Sequence, residues 1–352
     1  MLNDQPLVSL LVAIRNEAAH IEECIHSILN QDYPQEKIEV FILDGQSDDD
    51  SRRIVEEVIT GKKNYHLLEN PKRIQSAAWN LGIQLSHGDV ISIVSGHSKL
   101  SSDYVSKAIE TLSRTNADMV GGTVRATSLN YTGSVIALAM STPFGVGNAN
   151  FRYTEKEQET DTVFMGFCWC ATYEKIGGFD EELVRNQDDE FSNRIRKVGG
   201  RIICNPKIIS YYNNRTTLRS LWSQYFQYGY YKVRVLQKHP RQMSMRQFVP
   251  PAFVFVLLVS TLLAPFIFIF HLPSFFFPLL FFIPLLYLFA NLSTSLYTAS
   301  KHGWKYLPLL PLIFAILHLS YGLGFLAGLF KFWNRWGDKI GKVPARSSET
   351  IG

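Results

Sequence analysis

The stretch Arg185-Asn-Gln-Asp-Asp-Glu-Phe-Ser-Asn-Arg194 sets three carboxylates side by side, Asp188, Asp189 and Glu190, at the head of an apolar stripe. Phe191, Ile195 and Val198 recur at helical spacing, Asn186 is placed to cap the first turn, and Gly199-Gly200 end the helix behind Arg196 and Lys197. Adjacent carboxylates at a helix start gain from the helix dipole but repel one another. The repulsion is tolerable where one of them takes a proton or binds a metal; the alternative is an acidic, solvated helix start. Asp188 shares a face with Phe191 and Ile195, which turns its carboxylate toward the interior, and Glu190 can pair with Arg194 four residues on. Three further clusters, Arg15-Asn-Glu17, Asp44-Gly-Gln-Ser47 and Ser95-Gly-His-Ser98, carry groups suited to a nucleotide.

The elements that must position these groups alternate between strand and helix. Val8 to Ile14, Ile38 to Leu43, Tyr65 to Leu68, Val90 to Val94 and Asp118 to Val124 read as strands. Between them the spacing predicts helices with inward faces Ile21, Cys24, Ile25, Ile28 and Leu29, then Ile54, Val55, Val58 and Ile59, then Ile74 to Leu85 and Tyr104 to Leu112. Asn16 is placed to cap the first of these helices. The alternation predicts an α/β, doubly wound and mostly parallel sheet, in which ligands bind at the C-terminal strand ends. The three polar clusters fall at those ends. Arg125 to Asp161 is less regular and reads as a flexible insertion over the site. Gly166-Phe-Cys-Trp-Cys170 then leads to the turn Ile176-Gly-Gly-Phe-Asp180 and the acidic helix, and Arg201 to Cys204 reads as a short strand.

Composition changes abruptly after that. The chain has 352 residues and a net charge of +4, yet from Phe248 to Phe330 it carries no Asp or Glu and only Lys301 and Lys305 as cations. This describes a soluble domain over about residues 1–235, a membrane domain over 248–330 and a basic polar tail over 331–352. Segments 249–270, 275–298 and 307–330 are each long enough to span a bilayer. Within residues 215–247, the aromatic run Ser220 to Val235 has Arg215, Arg219, Lys232 and Arg234 around it, the make-up of an interfacial helix; an ordinary packing helix is the other reading. Basic residues from Arg234 to Arg246 place the soluble domain inside. Three spans would then put the tail outside, while Lys331, Arg335, Lys339, Lys342 and Arg346 argue for inside. A re-entrant or interfacial segment, or a break of the charge rule, would reconcile the two. The four cysteines form no CxxC pair and fit a reducing compartment, and no signal peptide is expected at the N-terminus. Dispersed basic residues do not point to nucleic acid.

Taken together, Val8 to Glu17, Leu43-Asp-Gly-Gln-Ser-Asp48, Gly88-Asp-Val-Ile-Ser-Ile-Val94, Gly177-Gly-Phe-Asp-Glu181 and Gln187-Asp-Asp-Glu-Phe-Ser-Asn-Arg194 resemble a family 2 glycosyltransferase of the GT-A fold, over about residues 6–235. Asn186 to Glu190, Gln224-Tyr-Phe-Gln-Tyr-Gly229 and the apolar tail are most similar to the succinoglycan-type glucosyltransferases of exopolysaccharide assembly. The resemblance implies a UDP-sugar donor. Asp44 matches the residue on the uracil, Ala13, Arg15 and Glu17 the loop against the nucleoside, and Arg73 a group reaching base or phosphate. Asp188 matches the general base on the acceptor hydroxyl; the glutamate that precedes it in the family is here Gln187. Asp189, Glu190 and Trp169 fall on the acceptor side, with Gln224 and Tyr225 where related processive enzymes carry a Gln/Arg/Trp motif. Where the family has Asp-x-Asp, holding a divalent cation on the diphosphate, this chain has Ser95-Gly-His97. The resemblance implies Mn²⁺ or Mg²⁺ at His97, with Ser95 beside the donor; the alternative is a His97 that only donates to phosphate. It further implies an inverting enzyme at the cytoplasmic face of the cell membrane, using a polyprenyl-diphosphate-linked or other lipid-linked acceptor. A polyprenyl-phosphate sugar transferase and a non-catalytic scaffold with a degenerate site are the rival readings.

Overall fold

The computed structural model describes residues 5–127, 130–147, 154–213, 216–269, 276–338, 341 and 343–345, with the side chains of 213 and 264–281 left undescribed. The chain divides into two compact units. The first comprises residues 1–126, 149–213 and 341–352, and the second residues 127–148 and 214–340.

The first unit is built on a nine-stranded sheet. In chain order its strands are β1 (Val8–Ile14), β2 (Ile38–Asp44), β3 (Tyr65–Glu69), β4 (Val90–Ser95), β5 (Ser98–Leu100), β6 (Met119–Thr127), β7 (Gln158–Glu159), β8 (Phe164–Trp169) and β9 (Ile202–Asn213). Their spatial order is β3-β2-β1-β4-β8-β6-β9-β5, with β7 on β9. The expected parallel arrangement holds for β3, β2, β1 and β4. From β8 onward the described pairings are antiparallel, so the sheet is mixed. Strand β9 is far longer than the expected Arg201–Cys204 segment, because Pro206 interrupts the pattern without ending the strand.

Side chains alternate across this sheet and both faces are covered, as parallel strands require. Val8, Leu10, Val12 and Ile14 point into a core with α1 (Ile21–Leu29), α2 (Ser51–Ile59) and a helix over Tyr104–Thr115. Leu11, Phe41, Leu43, Ile91 and Ile93 point to the other face. There they meet α3 (Gln75–Leu85) and the helices over Cys170–Ile176 and Gln187–Lys197. These three helices are α4 (Tyr104–Thr115), α7 (Cys170–Ile176) and α8 (Gln187–Lys197), since α5 (Tyr131–Met140) and α6 (Pro143–Val146) intervene in the chain.

Those two intervening helices correct the reading of Arg125–Asp161 as an irregular insertion; residues 128–129 and 148–153 of it lie outside the described residues. The Asn130 side chain caps α5 by accepting from the Gly133 N–H. Val135, Ile136, Ala139 and Met140 bury one side of α5 in the core of the second unit. That core also takes Leu221 and Tyr225 of α9 (Leu218–Lys238), Ala299 of α11 (Phe276–His302), and Leu310, Ile313, Phe314 and Leu317 of α12 (Leu310–Lys331). Helix α10 (Val249–Ile269) lies between α9 and α11 in the chain. Among the described residues, three stretches are long and apolar enough to cross a membrane: Met245–Leu263, Phe282–His302 and Leu310–Lys331. Of the aromatic run, α9 packs lengthwise on α12. A Cβ at Gly229 would overlap the Tyr321 carbonyl, and one at Gly324 the Phe226 carbonyl. Lys232 and Arg234, expected toward lipid, are buried within this unit. The Arg234 guanidinium donates to the Gln237 amide oxygen and to the Arg335 carbonyl. Arg215, Lys339, Lys342 and Arg346 lie outside the described residues.

Candidate active site

The parallel strands bring the predicted nucleotide groups into one row. Ile14 is in register with Asp44, Asp44 with Glu69, and Ala13 with Ser95. The loops beyond are laced together. Asn16 takes a left-handed conformation, φ 57°, and so does not cap α1 as its position suggested. Instead its side-chain oxygen accepts the Asp48 N–H, and its own N–H donates to Ser47 Oγ. Asp49 accepts from the Ala18 N–H and from the N–H and hydroxyl of Ser51. Burial pushes the Asp49 carboxyl up, but the hydrogen bonds from Ser51 and Ala18 outweigh it and hold the carboxyl below its usual range.

Asp44 is almost fully buried, its side chain 3% exposed, with Oδ1 accepting from the N–H and hydroxyl of Ser47 and Oδ2 3.8 Å from Arg52. Arg73 sits at the edge of the same row, φ 58°, its Nε donating to the Gln46 side chain, which in turn donates to Glu69. Arg15 is exposed, with its stem over Gly45.

The Ser95-Gly-His97 link turns from β4 into β5. Gly96 is required there, because a Cβ would lie 2.7 Å from Ile14 Cγ2. His97 Nδ1 lies 2.9 Å from Glu17 Oε1, and Ser95 Oγ lies 3.2 Å from His97 Nε2. Tyr212 of β9 meets the imidazole edge-on at 4.8 Å, and Phe164 of β8 meets Tyr212. Met165 closes the floor, its sulfur accepting the Ser95 N–H. Tyr212, Phe164 and Met165 escaped the sequence reading. The Tyr211-Tyr212 pair at the end of the Ile208-Ile209 run was the available signal, lost when the strand was ended at Cys204.

An imidazole, a carboxylate and a hydroxyl form a donor set that suits Mn²⁺ better than Mg²⁺. Among the described residues no three His, Cys, Asp or Glu side chains gather as a metal cage. The three side chains present fit part of a cation's coordination shell and do not by themselves complete it.

The acidic helix is tied to this end of the sheet on two sides. The Gln187 amide donates to Gln75 Oε1 at 3.0 Å, at the start of α3, and Ser192 Oγ lies 3.0 Å from the Thr162 hydroxyl, just ahead of β8. Asn186 again corrects the reading as a cap: it is left-handed, φ 62°, and makes no side-chain cap bond. Val198 is exposed as the residue ending α8, so the apolar face is Phe191 and Ile195. Asp188 and Asp189 are half-buried, and Asp188 Oδ1 accepts the Asp189 N–H.

Two acceptor-side expectations, Glu190 and Trp169, are altered by the structure. Both Glu190 oxygens accept from Arg194 Nε, at 2.9 and 3.1 Å, and the Glu190 side chain is only 2% exposed. Arg194 also donates to the carbonyls of Ile176 and Gly178, so Glu190 braces the turn before the helix rather than facing an acceptor. Trp169 pairs with Val90, five residues from Ser95 along β4, or roughly 16 Å at strand rise. It lies at the opposite end of the sheet because β8 runs antiparallel to β4. Gln224 and Tyr225 belong to the second unit, where Gln224 donates to the Tyr228 hydroxyl and Tyr225 is buried in the core.

Residues 9–176 match the model of glycosyl transferase family 2. A Methanococcus voltae protein, dolichyl N-acetyl-α-D-glucosaminyl phosphate 3-β-D-2,3-diacetamido-2,3-dideoxy-β-D-glucuronosyltransferase, is 28% identical over 333 residues, covering 92% of this chain and 97% of that one. The succinoglycan biosynthesis protein ExoA of Rhizobium meliloti (strain 1021) is 29% identical over 245 residues, covering 69% of this chain and 74% of that one. Among solved structures, the mannosyltransferase PcManGT from Pyrobaculum calidifontis, in complex with GDP-Man and Mn²⁺, superposes with a TM-score of 0.60 at 17% identity, over 94% of this chain and 88% of that one, a likeness of fold. On the family match and the strand-end site it encloses, residues 9–176 are a glycosyl transferase family 2 domain, and the chain is a glycosyltransferase.

Proposed function

We propose that the enzyme inverts the anomeric centre as it moves a sugar from a UDP-sugar to a lipid-linked saccharide, at the cytoplasmic face of the cell membrane, in exopolysaccharide or cell-surface glycan synthesis. The observation that carries this reading is the row of Ala13, Asp44 and Ser95 at the strand ends, with His97 and Glu17 beside it and the acidic start of α8 tied to the same end. The name of the first relative, a glucuronosyltransferase of dolichyl N-acetyl-α-D-glucosaminyl phosphate, supports a lipid-linked saccharide acceptor, and that of the second, a succinoglycan biosynthesis protein, supports polysaccharide synthesis. The apolar helices support a multi-pass membrane enzyme.

In this reading Asp44 accepts from the uracil, the Ala13 to Glu17 loop lies against the nucleoside, and Arg15 and Arg73 reach base or phosphate. Asp188 takes the acceptor hydroxyl proton as that oxygen bonds to the anomeric carbon, while the bond to the diphosphate breaks on the opposite face. Asp189 lines the acceptor side. His97, with Glu17 fixing its ring, would hold the divalent cation, which when bound neutralises charge on the departing diphosphate.

The test is Asp188→Asn in purified membranes supplied with lipid-linked acceptor and a panel of UDP-sugars. Removing a positioned base lowers turnover on the order of 10²- to 10⁴-fold while donor binding persists. Full turnover in this variant would remove Asp188 from the chemistry, and donor binding without turnover in the parent protein under every acceptor tried would favour the scaffold.

A further inference from the structure

The chain leaves the first unit after Asn213 and comes back to it at Gly341. The return is a specific contact. The Pro344 carbonyl accepts the Gly178 N–H at 2.9 Å, and Val343 lies over Gly177, whose φ of +76° and lack of a Cβ leave the room. Residues on both sides of the apolar region thus share one folded body, which requires an even number of membrane crossings between them. Among the described residues, three apolar helices are available.

We propose that α10 and α11 form a transmembrane hairpin and that α12 does not cross, lying with α9 at the membrane surface on the side of the catalytic unit. Burial separates the three helices: half of the apolar window of α12 is covered by protein, against 11% for the first stretch and 22% for the second. The helix that covers α12 is unsuited to a bilayer interior. Helix α9 runs beside it in the same direction, with Phe226 at Gly324, Tyr230 at Gly328 and Gln237 at Phe332. If α12 crossed, α9 would begin beside its middle and carry Arg219 to that depth, while Lys232, Arg234 and Lys238 would stand level with its Lys331–Arg335 end. That arrangement fails on charge at Arg219.

The distribution of cations agrees. Arg241 and Arg246 precede α10, Lys301 and Lys305 follow the apolar part of α11, and Lys331 and Arg335 follow that of α12, whereas no Lys, Arg, Asp or Glu occurs between residues 247 and 300. With two crossings every cationic flank lies on one side and only the uncharged 270–275 link lies on the other, which satisfies the positive-inside rule that three spans would break. The close Gly324-x-x-x-Gly328 approach to α9 is then a surface-anchoring joint.

The experiment is cysteine accessibility in the full-length protein, in sealed vesicles of both orientations, with a membrane-impermeant maleimide. The background is Cys170→Ala, and the probes are Lys63→Cys, Ser274→Cys, Lys305→Cys and Asn334→Cys. The expected result is labelling of Lys63→Cys, Lys305→Cys and Asn334→Cys from one face and of Ser274→Cys from the other. Labelling of Lys305→Cys and Asn334→Cys from opposite faces, or of Lys63→Cys and Lys305→Cys from opposite faces, would overturn the proposal. A second arm needs no substitution: trypsin cuts after exposed Lys331 in the same vesicle orientation in which it cuts the catalytic unit. Cleavage there in the other orientation alone overturns it as well. Neither readout depends on sugar transfer.

Discussion

Asp188 and Glu190 stand two residues apart in one helical turn and have been assigned different work. Glu190 is spent inside the protein on Arg194, whose guanidinium holds the Ile176 and Gly178 carbonyls. Removing one member of so buried a pair leaves the other uncompensated, so Glu190→Ala is expected to cost about 3–5 kcal/mol of stability. A fall in the unfolding temperature of the detergent-solubilised protein checks this, and an unchanged midpoint would sink it. Asp188→Asn, by contrast, is expected to leave that temperature nearly unchanged while it lowers turnover. The cysteines offer a second test of burial. The Cys24 thiol is pushed up to about 12, by burial and then by Glu17 and Glu23, and the Cys204 thiol to about 12 by burial alone. Burial also raises the Cys168 thiol well above its ordinary value. Near neutral pH the folded protein should therefore take a single maleimide, at half-exposed Cys170, and the other three only after unfolding, as mass spectrometry of the labelled peptides would report.

Among the elements, the loops after β1 and β2 depend on one another more than on their own helices. Asn16 bonds Asp48 rather than capping α1, and Asp49 bonds Ala18. Because the Asp49 pKa is lowered on folding, its contribution is present above the ordinary carboxylate range and is lost as pH falls through the folded value. The difference in unfolding midpoint between the parent and Asp49→Asn should accordingly be largest near neutrality and close on acidification. A gap independent of pH would show that the carboxylate charge plays no part. Helix α8 follows the same logic: its start is fixed by Gln75 and Thr162, and Asn186 supplies the left-handed turn that leads in.

On the scale of the molecule, the second unit rests on the close approach of α9 to α12. A leucine at Gly324 has no room against the Phe226 backbone, so Gly324→Leu should loosen the pair, at a cost of about 1–3 kcal/mol or more, visible as a lower thermal midpoint in detergent. The mutation of a residue in the second unit also reports whether that unit melts apart from the first. The order and type of the early elements could be read from the sequence because apolar period is a local property. Continuous burial along Val8–Ile14 and Ile38–Asp44, with alternate side chains sent to opposite cores, marks strands covered on both faces, and the polar clusters at their ends follow from where that apolar run stops. The apolar region declared itself by composition. Partnership was another matter. That His97 meets Glu17, eighty residues away, depends on β1 and β4 being neighbours; that Trp169 lies at the far end of the sheet depends on β8 running antiparallel. That the aromatic helix packs on α12 and the tail returns to Gly178 depends on contacts more than ninety residues apart. Local periodicity sets which face of an element is buried, and only the order and direction of neighbouring elements decide what that face, or the residue at its end, will touch.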